Sequence, residues 1–220
     1  MVVILAKIDY INLLPFYVFL KKNIQSSQTK AIINHKKSYP AYINKQFKRK
    51  KIDAGFLSSI VTQNYKCSNI GIVAQDEVLS VLALKGEYKQ DKESASSNIL
   101  AQILDINGEI IIGDKALKHY HSHSKDTFID LAQQWKQKYN LPFVFARFCF
   151  QKNDKYFISL TNKFSKTKVK IPQYILNQYS KRSGLTSQQI LSYLEKITYN
   201  IGYKERKSLK LFWKLSRNIK

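Results

Sequence analysis

A chain of 220 residues with 44% apolar and 13% aromatic side chains can bury a real core, in one large domain or two small lobes. The balance of 37 Lys and Arg against 15 Asp and Glu gives a formal charge of +22, yet the basic residues spread along the whole chain apart from one knot at Lys45, Lys48, Arg49, Lys50 and Lys51, with no RNA-recognition signature, zinc-finger spacing or Gly-Arg tract. The opening apolar run breaks at Lys7 and Asp9 and no later stretch approaches about 18 apolar residues, so neither a secretory leader nor a membrane span is expected.

Taken in chain order, residues 2–8 read as a strand. Residues 12–22 read as a helix with Asn12 as its cap and Pro15 in the first turn, where proline is tolerated. A weak strand is expected at 30–34, and Pro40 opens a helix to about residue 48. Residues 52–57 form a strand that ends at Ser58 and Ser59, and two more strands follow at 70–73 and 78–84. Ile99, Leu100, Ile103 and Leu104 stand at helical spacing behind Ser96 and Ser97. Residues 109–112 make a strand that ends at Gly113 and Asp114 with a helix behind it, 128–139 read as helical, and 143–150 as a strand. This is the rhythm of an α/β protein with largely parallel sheets.

Beyond about residue 153 the pattern is helical. Thr186 and Gln189 form a capping box, Ile190, Leu191, Leu194 and Ile197 an apolar stripe, and 203–217 a last helix carrying Leu209, Phe212 and Trp213. No repeat or low-complexity linker is present, so a lobe boundary must be crossed by strands.

Small polar groups gather at the strand-to-helix junctions. They include Asn12, the pair Ser58 and Ser59, the loop Ser94, Ser96, Ser97 and Asn98, and Gly113 with Asp114. Ligands of open α/β sheets bind beyond the strand ends, and helix N-termini offer free N–H groups to anions. Any single Ser or Asn there also serves as an ordinary helix cap. Ser80 caps nothing; inside the apolar run Val78-Leu79-Ser80-Val81-Leu82 it needs a buried partner or a ligand.

Ordered motifs carry a resemblance. Tyr10-Ile11-Asn12-Leu13-Leu14-Pro15, Ile52-Asp53-Ala54-Gly55-Phe56-Leu57-Ser58-Ser59 and Val78-Leu79-Ser80-Val81 are followed by Ser94-Ala95-Ser96-Ser97-Asn98. Then come Ile111-Ile112-Gly113-Asp114-Lys115-Ala116-Leu117, Asp130-Leu131, Trp135 and Leu141-Pro142-Phe143-Val144-Phe145-Ala146. Together they resemble the chorismate dehydratase (MqnA) family of the futalosine route to menaquinone, strongly over residues 5–150 and weakly over the helical tail.

The resemblance implies an α/β fold like the type II periplasmic binding proteins, with two lobes, a cleft between them and a helical C-terminal tail. Lobe one would comprise 1–82 with 148–220, and lobe two 83–147. It implies dehydration of chorismate to 3-[(1-carboxyvinyl)oxy]benzoate without metal or organic cofactor. Asn12 and Ser80 match the family's catalytic positions; Ser58, Ser59, Ser96, Ser97, Asn98, Gly113 and Asp114 would bind the substrate carboxylates. The implied partner is the dicarboxylate alone, with no nucleic acid or membrane, in a cytoplasmic monomer or homodimer. A non-catalytic small-carboxylate-binding protein of the same fold is the alternative. The chain departs from the family pattern at Asn140, where a glycine is common, and at Ala95, where a larger residue is common.

Two further signals are discounted. His119, His121 and His123 alternate, but on a helix only His119 and His123 share a face and no fourth ligand accompanies them, so they read as structural or incidental. Cys67 and Cys149 are too few for a disulfide framework; they read as buried free thiols in a reduced setting.

Overall fold

The computed structural model describes residues 4–24 and 37–219. A strand expected at 30–34 and the first residues of the one expected at 2–8 lie outside them. Leu5 and Lys7 form isolated parallel bridges to Ala54 and Lys37.

The strands are β1 (Ala54–Ser58), β2 (Cys67–Ala74), β3 (Val81–Leu84), β4 (Glu109–Ile112), β5 (Phe128–Asp130), β6 (Phe143–Phe150) and β7 (Ile197–Asn200). They build a four-stranded sheet in the order β1-β6-β2-β7 and a three-stranded sheet in the order β4-β3-β5. β6 is buried along its length except at Arg147, as suits a near-continuous apolar run in the middle of a sheet. Its Phe148 packs edge-on against Phe56 of β1, and Phe16 closes on both rings.

The helices are α1 (Leu14–Asn23), α2 (Pro40–Lys48), α3 (Ala95–Leu104), α4 (Gly113–Ser122), α5 (Leu131–Tyr139), α6 (Asp154–Ser165), α7 (Gln173–Ser183), α8 (Ser187–Glu195) and α9 (Tyr203–Ser216). None of the described helices is long and apolar enough to cross a membrane. The capping box forms as expected, with Thr186 Oγ1 accepting from the Gln189 N–H and Gln189 Oε1 from the Thr186 N–H. Asn140 closes α5 at φ 53°, in the left-handed conformation that its amide side chain tolerates.

Several expectations are corrected. Every pairing between the named strands is antiparallel. Periodicity shows that a strand is buried but not which way it runs. Here the chain leaves β2, builds the second sheet and returns along β6 in the opposite sense. Residues 128–130 are strand rather than helix, because the Asp130 carboxylate accepts the Ala132 and Gln133 N–H groups and so starts α5 at Leu131. The tail is not wholly helical: Ile197 begins β7, whose Ile, Thr and Tyr suit a half-buried edge beside β2. Asn12 does not cap a helix; it sits in a 3₁₀ turn, Ile11–Leu13, and α1 follows with no side-chain cap. Ser80 precedes β3 rather than lying inside it.

The two cysteines are not free thiols. Cys67 and Cys149 lie directly opposite each other on β2 and β6 and are joined as a disulfide. Cross-strand register brings their Cβ atoms within bonding reach, a contact that 82 residues of separation conceal.

Candidate active site

The two sheets and the first turns of several helices face one hollow of about 50 Å³. Asn12, Ser58, Ser80, Ser96, Ser97 and Gly113 line it, with Ser94 and the Tyr10 ring beside them. Ile72, Val78, Val81, Ile112 and Phe145 supply the apolar walls. Not one Lys, Arg, His, Asp or Glu is among the described lining residues.

Ser80 is held by a chain of backbone contacts. The buried Asp130 carboxylate accepts the Val78 and Leu79 N–H groups at 2.9 and 2.7 Å through one oxygen, while its other oxygen caps α5. That grip holds Leu79 at φ 61°, an unusual conformation for a leucine. Burial pushes the Asp130 carboxyl up to about 6, against four N–H donors that favour the anion. The Ser80 carbonyl accepts the Gly113 N–H at 2.8 Å. Its hydroxyl accepts from the Tyr193 phenol at 2.8 Å, and both residues are buried.

Asn12 is fixed through its backbone, where its carbonyl accepts the Tyr199 hydroxyl at 2.6 Å. Its side-chain oxygen Oδ1 is buried with no hydrogen-bond partner among the described residues. A buried amide oxygen without a donor costs about 1–3 kcal/mol, and this one lies on the wall of the hollow.

Gly113 is required where it stands. Its φ is +66°, and a Cβ would meet the Tyr10 ring at 2.9 Å. The Tyr10 hydroxyl donates to Glu93.

The serines form linked pairs. Asn44 on α2 donates to Ser58 Oγ at 2.9 Å and accepts the Ser58 N–H at 3.1 Å. Ser94 caps α3 by accepting the Ser97 N–H, and donates to Ser97 Oγ at 2.7 Å. Ser97 keeps its own proton free. Ser96 Oγ accepts the Ile60 N–H and lies 3.1 Å from Ser59 Oγ.

Three of the expected site residues stand behind the lining. Ser59 is buried under Ser96, and its carbonyl accepts the Trp213 indole N–H at 2.8 Å. Asn98 binds the backbone of Asp91 on both sides of its amide. Asp114 accepts the Ile11 N–H at 3.0 Å and an Arg182 N–H at 2.5 Å. Burial raises its pKa. Arg182 also grips Asp9 at 2.6 Å, beside Lys37 and Tyr179. Burial works to raise the Asp9 pKa, but these partners with Lys7 outweigh it and hold the carboxyl at about 2.

Sequence reading missed Tyr193, Tyr199 and Asn44 and gave Asp130 no role. Tyr193 carried a signal: it falls within the Ile190 and Leu194 segment, and a tyrosine buried among apolar residues needs a partner for its hydroxyl. The half-buried His119 ring of α4 and the His123 ring just past its end stack at 3.8 Å, and neither lines the hollow.

The arrangement offers neutral hydroxyl, amide and backbone donors around one hollow. Such groups bind and orient an anion without supplying a strong base.

Comparison with known proteins bears on the chain as a whole. A family model described as menaquinone biosynthesis matches residues 86–218. A chorismate dehydratase from Campylobacter jejuni is 44% identical over 98% of this chain and 98% of its own length. A crystal structure of a protein from Archaeoglobus fulgidus superposes with a TM-score of 0.67 at 11% identity, covering 97% of this chain and 96% of that one. A Candida albicans protein with the generic periplasmic-binding-protein fold gives 0.55 at 12% identity, covering 100% and 91%. The periplasmic aliphatic sulphonate binding protein of Escherichia coli gives 0.50 at 12%, covering 100% and 94%. These structural likenesses show a periplasmic-binding-protein-like fold.

Proposed function

This chain belongs to the menaquinone-biosynthesis family that includes chorismate dehydratase, and we propose that it dehydrates chorismate to 3-[(1-carboxyvinyl)oxy]benzoate in the hollow between its sheets. The observation that carries the mechanism is the lining itself: Asn12 and Ser80 meet there, and no carboxylate, imidazole or amine stands beside them among the described residues.

The chemistry suits such a site. The ring carbon bearing the enolpyruvyl ether loses its proton, and the neighbouring carbon loses its hydroxyl. The C–H electron pair becomes the last ring double bond as the C–O bond breaks, and the departing hydroxide takes up the abstracted ring proton to leave as water. Aromatisation supplies the driving force, so orientation is the main demand on the protein. With no side-chain base on the wall, the substrate's own enolpyruvyl carboxylate takes the ring proton. Ser80 holds that carboxylate by its free hydroxyl proton. Asn12 hydrogen-bonds the leaving hydroxyl, which supplies the donor its Oδ1 lacks.

The ring carboxylate binds at the first turn of α3, where Ser96, Ser97 and the helix N-terminus favour negative charge. Ser58 and the Gly113 turn complete the wall. Ser59, Asn98 and Asp114 act behind it as supports.

A hollow of about 50 Å³ is narrow beside the roughly 300–1,000 Å³ of ordinary ligand clefts. Chorismate therefore enters only when the two lobes part. We take those lobes as 1–82 with 148–220 and 83–147, and the working protein as a cytoplasmic monomer or homodimer with no nucleic-acid partner.

The test is incubation of the full chain with chorismate and mass analysis of the product. A species lighter by one water supports the proposal. Thermal stabilisation by chorismate without turnover supports a carboxylate-binding protein instead.

A further inference from the structure

Two tyrosines of the C-terminal segment reach the site from behind. Tyr199 of β7 donates to the Asn12 carbonyl at 2.6 Å, and Tyr193 of α8 donates to Ser80 Oγ at 2.8 Å. Neither ring lines the hollow, whereas Asn12 and Ser80 both do. The tail thus holds the two residues on which the proposed reaction depends.

The Ser80 contact has a specific chemical consequence. A serine hydroxyl carries one proton and two lone pairs. The Ser80 backbone is already fixed, by the Asp130 grip on Val78 and Leu79 and by the Gly113 N–H on its carbonyl. Rotation of the hydroxyl is the remaining freedom. Without a fixed donor on Oγ, the hydroxyl proton has no set direction. A phenol that donates to Ser80 Oγ occupies one lone pair and fixes the direction of the other and of the proton. Burial raises the Tyr193 pKa, so at neutral pH the phenol keeps the proton that it donates to Ser80 Oγ.

We propose that Tyr193 is a positioning residue of the dehydration, fixing the Ser80 hydroxyl so that its proton is donated to the substrate carboxylate. The inference rests on the functional reading above and extends it to a residue outside the hollow. A purely structural role, in which a buried tyrosine merely satisfies its hydroxyl, makes a different prediction.

The experiment is steady-state kinetics of the full chain with Tyr193→Phe, which removes one oxygen and leaves the ring packing. Turnover of chorismate should fall roughly tenfold to a hundredfold, the range that misorientation of a reacting group produces, with KM within about twofold of wild type. In the Ser80→Ala background the same change should cost no further turnover, because a residue acting through Ser80 is silent once Ser80 is gone.

A folded Tyr193→Phe protein with wild-type kcat overturns the inference, as does a full additional loss in the double variant. Should Tyr193→Phe fail to fold, 3-fluorotyrosine at position 193 keeps the hydroxyl and makes it a stronger donor at the cost of one added ring fluorine. A changed kcat at unchanged KM then supports the inference, and an unchanged kcat overturns it. Wild-type protein that leaves chorismate intact removes the functional reading and this inference with it, whereas an active wild type beside an equally active Tyr193→Phe removes only the inference.

Discussion

Gly113→Ala tests how tightly the site is built. The alanine keeps φ near +66°, a left-handed conformation that costs an ordinary residue about 1–2 kcal/mol. Its Cβ meets the Tyr10 ring at 2.9 Å from Cε1, closer than real contacts allow, and at 3.0 Å from Cδ1 and Cζ. Tyr10 is not free to swing aside: its hydroxyl is tied to Glu93 and its carbonyl accepts the Leu13 N–H. Relief of the overlap therefore shifts the chain, at about 1–3 kcal/mol. The total is about 2–5 kcal/mol, and at about 2–4 °C per kcal/mol for a chain of this size the melting temperature should fall by about 4–20 °C. The displaced segment carries Asn12, two residues beyond Tyr10, so kcat should fall as well, by up to about 100-fold for a 1 Å displacement. Gly113→Asn separates the causes, because asparagine tolerates the left-handed region but still carries the Cβ. It should recover part of the stability and none of the turnover. Thermal unfolding followed by circular dichroism and chorismate consumption in the same preparations measure both. A Gly113→Ala protein with unchanged melting temperature and kcat would refute the reasoning.

Asn12→Ala and Ser80→Ala should each lower kcat at least about 100-fold while changing KM much less, since both groups are assigned to the reacting atoms rather than to overall binding; single-turnover and steady-state kinetics distinguish the two effects. Asp130→Asn leaves one carbonyl oxygen to serve four N–H donors and turns an NH₂ toward two of them. It should cost about 2–4 kcal/mol in denaturant unfolding and loosen the Leu79–Ser80 turn; a stability within about 0.5 kcal/mol of wild type rejects that assignment. Asp9 titrates at about 2 in the folded protein against a reference of 3.8. Its contribution is therefore fully present above pH 4 and disappears as pH falls through 2. Stability measured across that window should fall less in Asp9→Asn than in wild type, and parallel curves would contradict the shift.

The sequence alone carried the order of most elements because local patterning dictates them. The Thr186 box, the Pro40 helix start and the apolar strand 143–150 each rest on physics that acts within a few residues. Ordered motifs likewise pointed to Asn12, Ser58, Ser80, Ser96, Ser97 and Gly113, which line the hollow. Contacts between distant segments were decided only by the tertiary structure. Strand direction, the pairing of Cys67 with Cys149 and the addition of β7 to the sheet all depend on which partner a buried edge meets. The same holds for Ser59, Asn98 and Asp114, whose polar groups are taken by neighbours rather than presented to the hollow, and for Tyr193, which reaches Ser80 across 113 residues. Local periodicity says that a side chain is buried; only the folded arrangement says which hydroxyl it finds there.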